Sequence, residues 1–479
     1  MNILISNRYR GYVDITLGLI VLYGILYHYT ALITLITDSY YPVKSDEFLY
    51  FINTESYILN DTLRAALTFT GNGSPVFGTD SHGFGYPLMH GFIGEVFGWG
   101  HLNFIYFNFI IVLVAIFFIA IMRSISLNQK LWITCIILLF PFFPIFSFTY
   151  MQEIIHVFIG ILMSILLYNI YKKNDNIIYI SIFIGITIAA GFFRLLWLFW
   201  LIGLIPLAKT KPEFVKYGLI FVFGVILSFV FVKLFAEPVS NYFTSVINLL
   251  TKGEIIEAIS SVVNHFFKNL RLYFFEDDVT IIYTSIKYIN FGLVAYFSFD
   301  AIKDRNRLSM AIALIGIINF LLLFFLYDAF AWREIRTLSP LFYFHVIFIV
   351  LKLNNIGKYV LVTGLCCLFF LTLKTSNRVI SERNSVDVQN LNKQKKIYSE
   401  IAEKVPDNST ILLAYLPQDF SLDLLSLPLR NTNNSPIRYI VQYQKVKIGK
   451  YDYILSRPGA NVPNKKVIEN NLYALFEKK

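Results

Sequence analysis

The sequence predicts a polytopic α-helical membrane protein, with about eleven transmembrane helices and a small C-terminal α/β domain outside the membrane. Three observations predict it. The chain of 479 residues is 56% hydrophobic and 17% aromatic but only 15% charged, where soluble domains carry about 25% charged residues. Apolar runs long enough to span a bilayer recur along it, and the mean hydropathy is +0.60. A β-barrel would instead show short alternating segments. Finally, basic residues gather in the short loops between alternate apolar runs, as the positive-inside rule requires. The net charge of +10 is therefore mainly a topology signal and does not indicate a nucleic-acid partner. Cys135, Cys366 and Cys367 all lie within apolar runs, so no disulfide framework is implied.

The spans follow in order. The first covers residues 15–37 behind a basic flank, Arg8 and Arg10, and reads as an uncleaved span. A long polar segment, 38–102, leads to spans at 104–122 and 131–149, separated by a basic turn from Arg123 to Lys130. After the brief step Tyr150–Glu153 comes a span at 154–171, ended by Lys172 and Lys173. Residues 177–208 are apolar except for Arg194, which divides them into two short spans. A basic loop with Lys209, Lys211 and Lys216 precedes a span at 217–236, and a second polar segment runs to about residue 285. Spans near 285–302, 308–327, 338–352 and 359–373 complete the set.

With the N-terminus in the cytoplasm, the loops at 123–130, 172–176, 209–216, 303–307 and 352–358 all fall on the cytoplasmic side, and each is short and basic. The two long polar segments and the tail then face outward. The chain thus divides into a membrane domain, 1–373, and an extracytoplasmic domain, 374–479. The tail has polar linkers (375–395), a helical pattern over 396–405 and β-like runs at 410–415 and 437–442. No internal repeat is visible, which weakens a reading as an inverted-repeat transporter.

Polar chemistry collects on the outer side. The first outer loop opens Lys44-Ser45-Asp46-Glu47, and the apolar rhythm from Glu47 to Phe69 predicts an amphipathic helix along the membrane surface. A simple helix cap by Ser45 or Asp46 is the structural alternative. Glycines crowd residues 71–85, as suits a backbone that packs closely or meets a ligand. Glu153 falls at the membrane boundary with His156 one turn deeper; a carboxylate favoured by the helix dipole is the simpler explanation there. Arg194 interrupts an apolar stretch, where an arginine faces a cavity or an anion unless it snorkels to the headgroups. Arg333 and Arg336, three apart before Pro340, can share a helical face and suit bidentate capture of phosphate oxygens, or can pair with Asp328 and Glu334. Glu276, Asp277 and Asp278 read as a solvated turn, with a divalent cation as the alternative.

This pattern resembles the GT-C superfamily of membrane glycosyltransferases. The resemblance rests on span one followed by an outer loop opening Ser45-Asp46-Glu47, the surface helix, the short loop with Glu153, Arg194, the late Arg333 to Arg336 before Pro340, and the soluble tail. It implies transfer of a sugar from a polyprenyl-phosphate donor to a glycan or lipid-linked acceptor, with inversion at the anomeric carbon. It also implies a bacterial inner-membrane enzyme that decorates lipopolysaccharide or another surface glycan. Carried onto this chain, Asp46 is the general base, and Glu47 orients it or exchanges roles with it. Arg194, Arg333 and Arg336, with Lys44, hold the leaving phosphate, and Glu153 supports the acceptor or a divalent cation. Asp46-Glu47 lacks the fuller flanking motifs of the better-defined families, so the acceptor stays open. An O-antigen polymerase or ligase is one alternative, although those centre on a large loop late in the chain. A flippase or transporter is another, but it needs ionisable residues along a mid-span path, whereas here they sit at span ends, with His345 and Asn319 as exceptions that read as buried, satisfied residues.

Overall fold

The computed structural model describes residues 2–43, 45–60, 66–68, 84–173, 176–235, 242–275, 280–326 and 336–385, and parts of the tail between 400 and 478. Its helices are α1 (Asn2–Ile33), α2 (Ser45–Asn60), α3 (Gly85–Phe97), α4 (Asn103–Ile121), α5 (Leu127–Leu139), α6 (Phe142–Phe146), α7 (Glu153–Lys172) and α8 (Ile177–Gly191). A run of 3-10 turns, Leu195–Leu207, then precedes α9 (Lys211–Phe235), α10 (Tyr242–Thr251), α11 (Ile255–Phe275), α12 (Ile281–Asp304), α13 (Arg307–Leu326), α14 (Ser339–Lys352) and α15 (Asn355–Asn384). Each apolar run recognised in the sequence falls on one of these elements except 131–149, which falls on two, α5 and α6. Among the described residues, six helices are long and apolar enough to cross a membrane by length and composition, namely α1, α4, α7, α9, α13 and α15. The protein is an integral, multi-pass membrane protein.

The distribution of apolar side chains shows which helices meet lipid. Tyr23 on α1, Leu113 on α4, Leu219 on α9 and Val360 on α15 are each more than 60% exposed. So much exposed apolar surface matches hydrocarbon, not water. At the centre, α14 buries every residue from Ser339 to Val350 and lies against the equally enclosed α7. A Cβ on Gly160 would sit 2.6 Å from the carbonyl oxygen of Pro340, so the two backbones approach closely only because residue 160 has no side chain. Gly160→Val is therefore expected to cost about 1–3 kcal/mol, the range for overpacking. It should lower the thermal unfolding temperature in detergent, whereas Gly185→Val, at a position with open space, should not. Equal melting of the two variants would show that the α7–α14 approach is not tight.

The end of the bundle nearest the N-terminus is tied by a buried carboxylate. Asp14 accepts from Trp132 Nε1 at 3.1 Å and Tyr359 OH at 2.8 Å, and pairs with Lys358 at 3.3 Å and with Asn128. One side chain so joins α1, α5 and α15. Of the mid-span polar groups, Asn319 donates to Ile315 O at 2.7 Å and His345 Nδ1 lies 2.6 Å from Leu341 O, while His345 Nε2 is buried without a hydrogen-bond partner.

At the opposite end stands a six-stranded sheet, from β1 (Leu67–Thr68), β2 (Thr410–Leu413), β3 (Arg438–Val441), β4 (Tyr453–Ser456), β5 (Lys465–Glu469) and β6 (Ala474–Glu477), in the order β1-β3-β2-β4-β6-β5. The first four strands in that order are parallel, and β6 and β5 add antiparallel. Alternation sorts the faces: Ile411, Leu413, Leu455 and Leu475 join the main core, while Leu412, Ile440, Ile454 and Phe476 build a separate cluster behind the sheet. Strand β1 comes from the first long loop, with Leu67 opposite Tyr439. The sheet thus joins the first long loop to strands near the other end of the chain.

Several expectations need correction. The last span does not stop at 373; α15 continues to Asn384, so the first part of the stretch read as a polar linker, 375–384, is helical, and 386–395 lie outside the described residues. The expected third span is two helices broken at the Phe140–Pro141 corner. The expected surface helix is described over Ser45–Asn60 and does not reach Phe69, because Leu67–Thr68 is a strand, and the first polar segment also contains α3. The second polar segment contains α10 and α11. Both are amphipathic, so neither produces a spanning apolar run.

Candidate active site

The polar residues singled out in the sequence are brought together where α2, α7, the 3-10 run and α14 begin. Helix α2 starts with Asp46 and Glu47 in its first turn, where the exposed N–H groups favour carboxylates. The turn before α7 is held by side chains from three directions. Asn108 donates to Thr149 O at 3.0 Å, Tyr86 OH donates to Met151 O at 3.0 Å, and Tyr150 OH donates to Tyr40 O at 2.8 Å. Glu153 follows as the first residue of α7, with 1% of its side chain exposed. Gly85, at the edge of the glycine-dense loop, meets Phe192: its N–H donates to Phe192 O at 3.2 Å, and a Cβ there would lie 2.9 Å from that oxygen. This close approach fixes the strand of chain leading to Arg194, whose backbone is extended (φ −155°, ψ 120°) between α8 and the 3-10 run.

Charges alternate across the site. Arg336 Nη2 donates to Asp46 Oδ2 at 2.7 Å, and its Nε lies 3.7 Å from Glu153 Oε1. Arg194 Nη2 approaches the same Glu153 oxygen at 3.6 Å. Asp46, Arg336 and Arg194 keep 20%, 22% and 16% of their side chains exposed, so solvent or a ligand reaches them. Glu153 sits beneath, sealed. Both approaches to Glu153 are longer than a charge-assisted hydrogen bond, about 2.7–2.9 Å, so the guanidiniums are drawn to this carboxylate without being locked on it. Two guanidiniums so placed have the geometry to take the oxygens of an anion. Among the described residues, no three His, Cys, Asp or Glu side chains gather to hold a metal ion. Between Asp46 and Glu153 stands a guanidinium, a donor set suited to an anion.

Glu47 does not share this environment. It is fully buried and pairs with the equally buried Arg383 near the end of α15. Its carboxylate also accepts from Val43 N at 3.1 Å and Tyr150 N at 3.2 Å. The expected exchange of roles between Asp46 and Glu47 is therefore corrected: neighbours on a helix point about 100° apart, and Glu47 points into the protein. Lys44 and Arg333 lie outside the described residues, as do Glu276–Asp278 and most of the glycine-rich loop.

Sequence reasoning missed Arg383, which the expected linker concealed. Its Nη1 donates to Val379 O at 2.8 Å, and its backbone carbonyl accepts from Tyr41 N at 3.3 Å. The helical spacing of Val379, Ile380 and Arg383 was the available signal. Asn384 next to it accepts from Thr37 N at 3.1 Å and donates to Leu35 O at 2.6 Å, pinning the end of α15 to the end of α1.

The chain has the fold of the GT-C membrane glycosyltransferases. The Archaeoglobus fulgidus oligosaccharyltransferase, solved in complex with Zn and sulfate, is similar with a TM-score of 0.54 at 10% identity, over 90% of this chain and 67% of its own. ArnT from Cupriavidus metallidurans, solved bound to undecaprenyl phosphate, is similar with a TM-score of 0.49 at 11% identity, over 97% of both chains. No family model matches the sequence, and no curated protein matches it.

Proposed function

We propose that this protein is an inverting glycosyltransferase, which moves a sugar from a polyprenyl-phosphate donor to an acceptor on the outer face of the membrane. The observation that carries this reading is the convergence of Arg336 and Arg194 on Glu153 at the membrane boundary, with Asp46 on the other side of Arg336. A lipid-linked phosphate meets both demands of such a site: its tail stays in hydrocarbon while its head reaches the arginines. The fold shared with an oligosaccharyltransferase supports the reading. So does the basic character of the loops at the other end, which by the positive-inside rule favours a cytoplasmic N-terminus.

In this mechanism Asp46 takes the proton of an acceptor hydroxyl as that oxygen attacks the anomeric carbon. The bond from that carbon to the phosphate oxygen breaks, and its electron pair leaves with polyprenyl phosphate. Attack opposite the leaving group inverts the configuration. Arg194 and Arg336 stabilise the charge that develops on the phosphate, which then needs no strong general acid. Arg336 turns from Asp46 toward the phosphate when the donor binds, leaving the Asp46 carboxylate to the acceptor. Glu153 holds the two guanidiniums in place. The acceptor is a glycan or a lipid-linked glycan of the cell envelope, and the membrane is the bacterial inner membrane.

Purified protein in proteoliposomes, given radiolabelled polyprenyl-phosphate sugar and an envelope extract, tests the proposal. Label is expected to pass to the acceptor with release of polyprenyl phosphate. Movement of intact donor across the bilayer, with no transfer, would instead identify a flippase.

A further inference from the structure

Four buried polar atoms at the start of α7 and beside it have no hydrogen-bond partner: Gln152 Oε1, Glu153 Oε2, His156 Nε2 and Arg194 Nη1. Buried polar groups are paired in the great majority of cases, so four together mark a place that a ligand completes. They share one neighbourhood. His156 lies four residues after Gln152, the N-cap residue of α7, and three after Glu153, one turn in each case, and Arg194 is ion-paired to Glu153.

The hydrogen on His156 can be located. Its Nδ1 lies 3.0 Å from Trp197 Nε1, and an indole nitrogen only donates. Nδ1 is therefore the acceptor, and in the neutral ring the hydrogen sits on Nε2, the unpartnered atom. The imidazole also lies nearly parallel to the Trp197 ring, at 28°, and is fully buried, so its orientation is set by packing as well. The cluster thus offers two donors, His156 Nε2–H and Arg194 Nη1, and two acceptors, Gln152 Oε1 and Glu153 Oε2.

That mixture distinguishes the ligand. A phosphate only accepts, and would leave the second Glu153 oxygen unmatched, whereas the Gln152 amide can turn either its oxygen or its nitrogen to a ligand. Adjacent hydroxyl groups each donate and accept, and match both kinds. We infer that Gln152, Glu153, His156 and Arg194 form the subsite for the hydroxyl groups of the transferred sugar, with His156 as its deepest donor; this rests on the glycosyltransferase reading above. His156 and Gln152 would then be specificity-determining residues, acting on the sugar while the exposed edges of Arg194 and Arg336 act on the phosphate.

The test compares binding of bare undecaprenyl phosphate with binding of undecaprenyl-phosphate glucose, galactose and mannose to the full-length protein in nanodiscs. Wild type is expected to bind at least one sugar-bearing lipid about tenfold more tightly than the bare lipid, the scale of a matched buried hydrogen bond. His156→Ala and Gln152→Ala are expected to lose that preference while binding the bare lipid as wild type does, and His156→Gln, which keeps a donor, should retain part of it. Gln152→Ala keeps the test decisive where the histidine variant does not fold, because the Gln152 side chain caps nothing. Preference retained in the variants, or absent in wild type, overturns the subsite and leaves the glycosyltransferase reading standing. Failure of wild type to bind any of the four lipids overturns both.

Discussion

Asp46→Asn is expected to abolish measurable sugar transfer, lowering the rate by about 10²–10⁴, the contribution of a positioned general base. The amide has the shape of the carboxylate but cannot take a proton from the acceptor. Folding should survive. Asp46 is partly exposed at the start of α2, and an amide oxygen can still accept from Arg336. Protein level, membrane insertion and melting temperature are therefore expected to stay close to wild type while transfer is lost. The measurement is transfer of radiolabel from polyprenyl-phosphate sugar in membranes holding equal amounts of each protein. Near-normal transfer by the variant would remove Asp46 from the role of base.

The second large effect falls on stability. Arg383→Ala leaves the Glu47 carboxylate buried without its guanidinium, and removing one partner of a buried pair costs about 3–5 kcal/mol. Because Glu47 also receives the N–H groups of Val43 and Tyr150, the loss spreads to the entry of α2 and to the turn before Glu153. Activity should fall with stability even though Arg383 touches no proposed substrate. Combining Arg383→Met with Glu47→Gln removes both charges and is expected to recover much of the stability, since an apolar replacement for the whole pair is often tolerated. Thermal unfolding in detergent for the two single variants and the double variant gives the comparison. A double variant no more stable than Arg383→Ala would mean that the pair is not the origin of the effect.

How far the molecule could be read from its sequence differs from part to part. The membrane spans were plain, because a helix facing hydrocarbon must be apolar over its whole length. Helices α3, α10 and α11 were not, since an amphipathic helix resembles a polar loop when only long apolar runs are sought. The site was half legible. Arg194 interrupts an apolar stretch, Asp46, Glu153 and Arg336 lie in polar steps beside apolar runs, and the fold brings these four into one chain of ion pairs. Glu47 was misread because adjacency in sequence is not adjacency on a helix face. Arg383 was hidden by its setting: it pairs with a residue 336 positions away, and no local rule announces such a partner. Strand β1 is a similar case, two residues long and paired with a strand near the other end of the chain. It is the contact through which the tail reaches the loop that carries Asp46.

Arg194 and Arg336 are proposed to hold a lipid-linked phosphate beside Asp46. An experimental structure of the protein in nanodiscs with undecaprenyl phosphate tests it most directly. The account predicts phosphate oxygens at about 2.7–2.9 Å from both guanidiniums, the charge-assisted distance, with Arg336 turned away from Asp46 and the polyprenyl tail in the bilayer. A phosphate bound elsewhere, with the Asp46–Arg336 pair still closed at 2.7 Å, would contradict it.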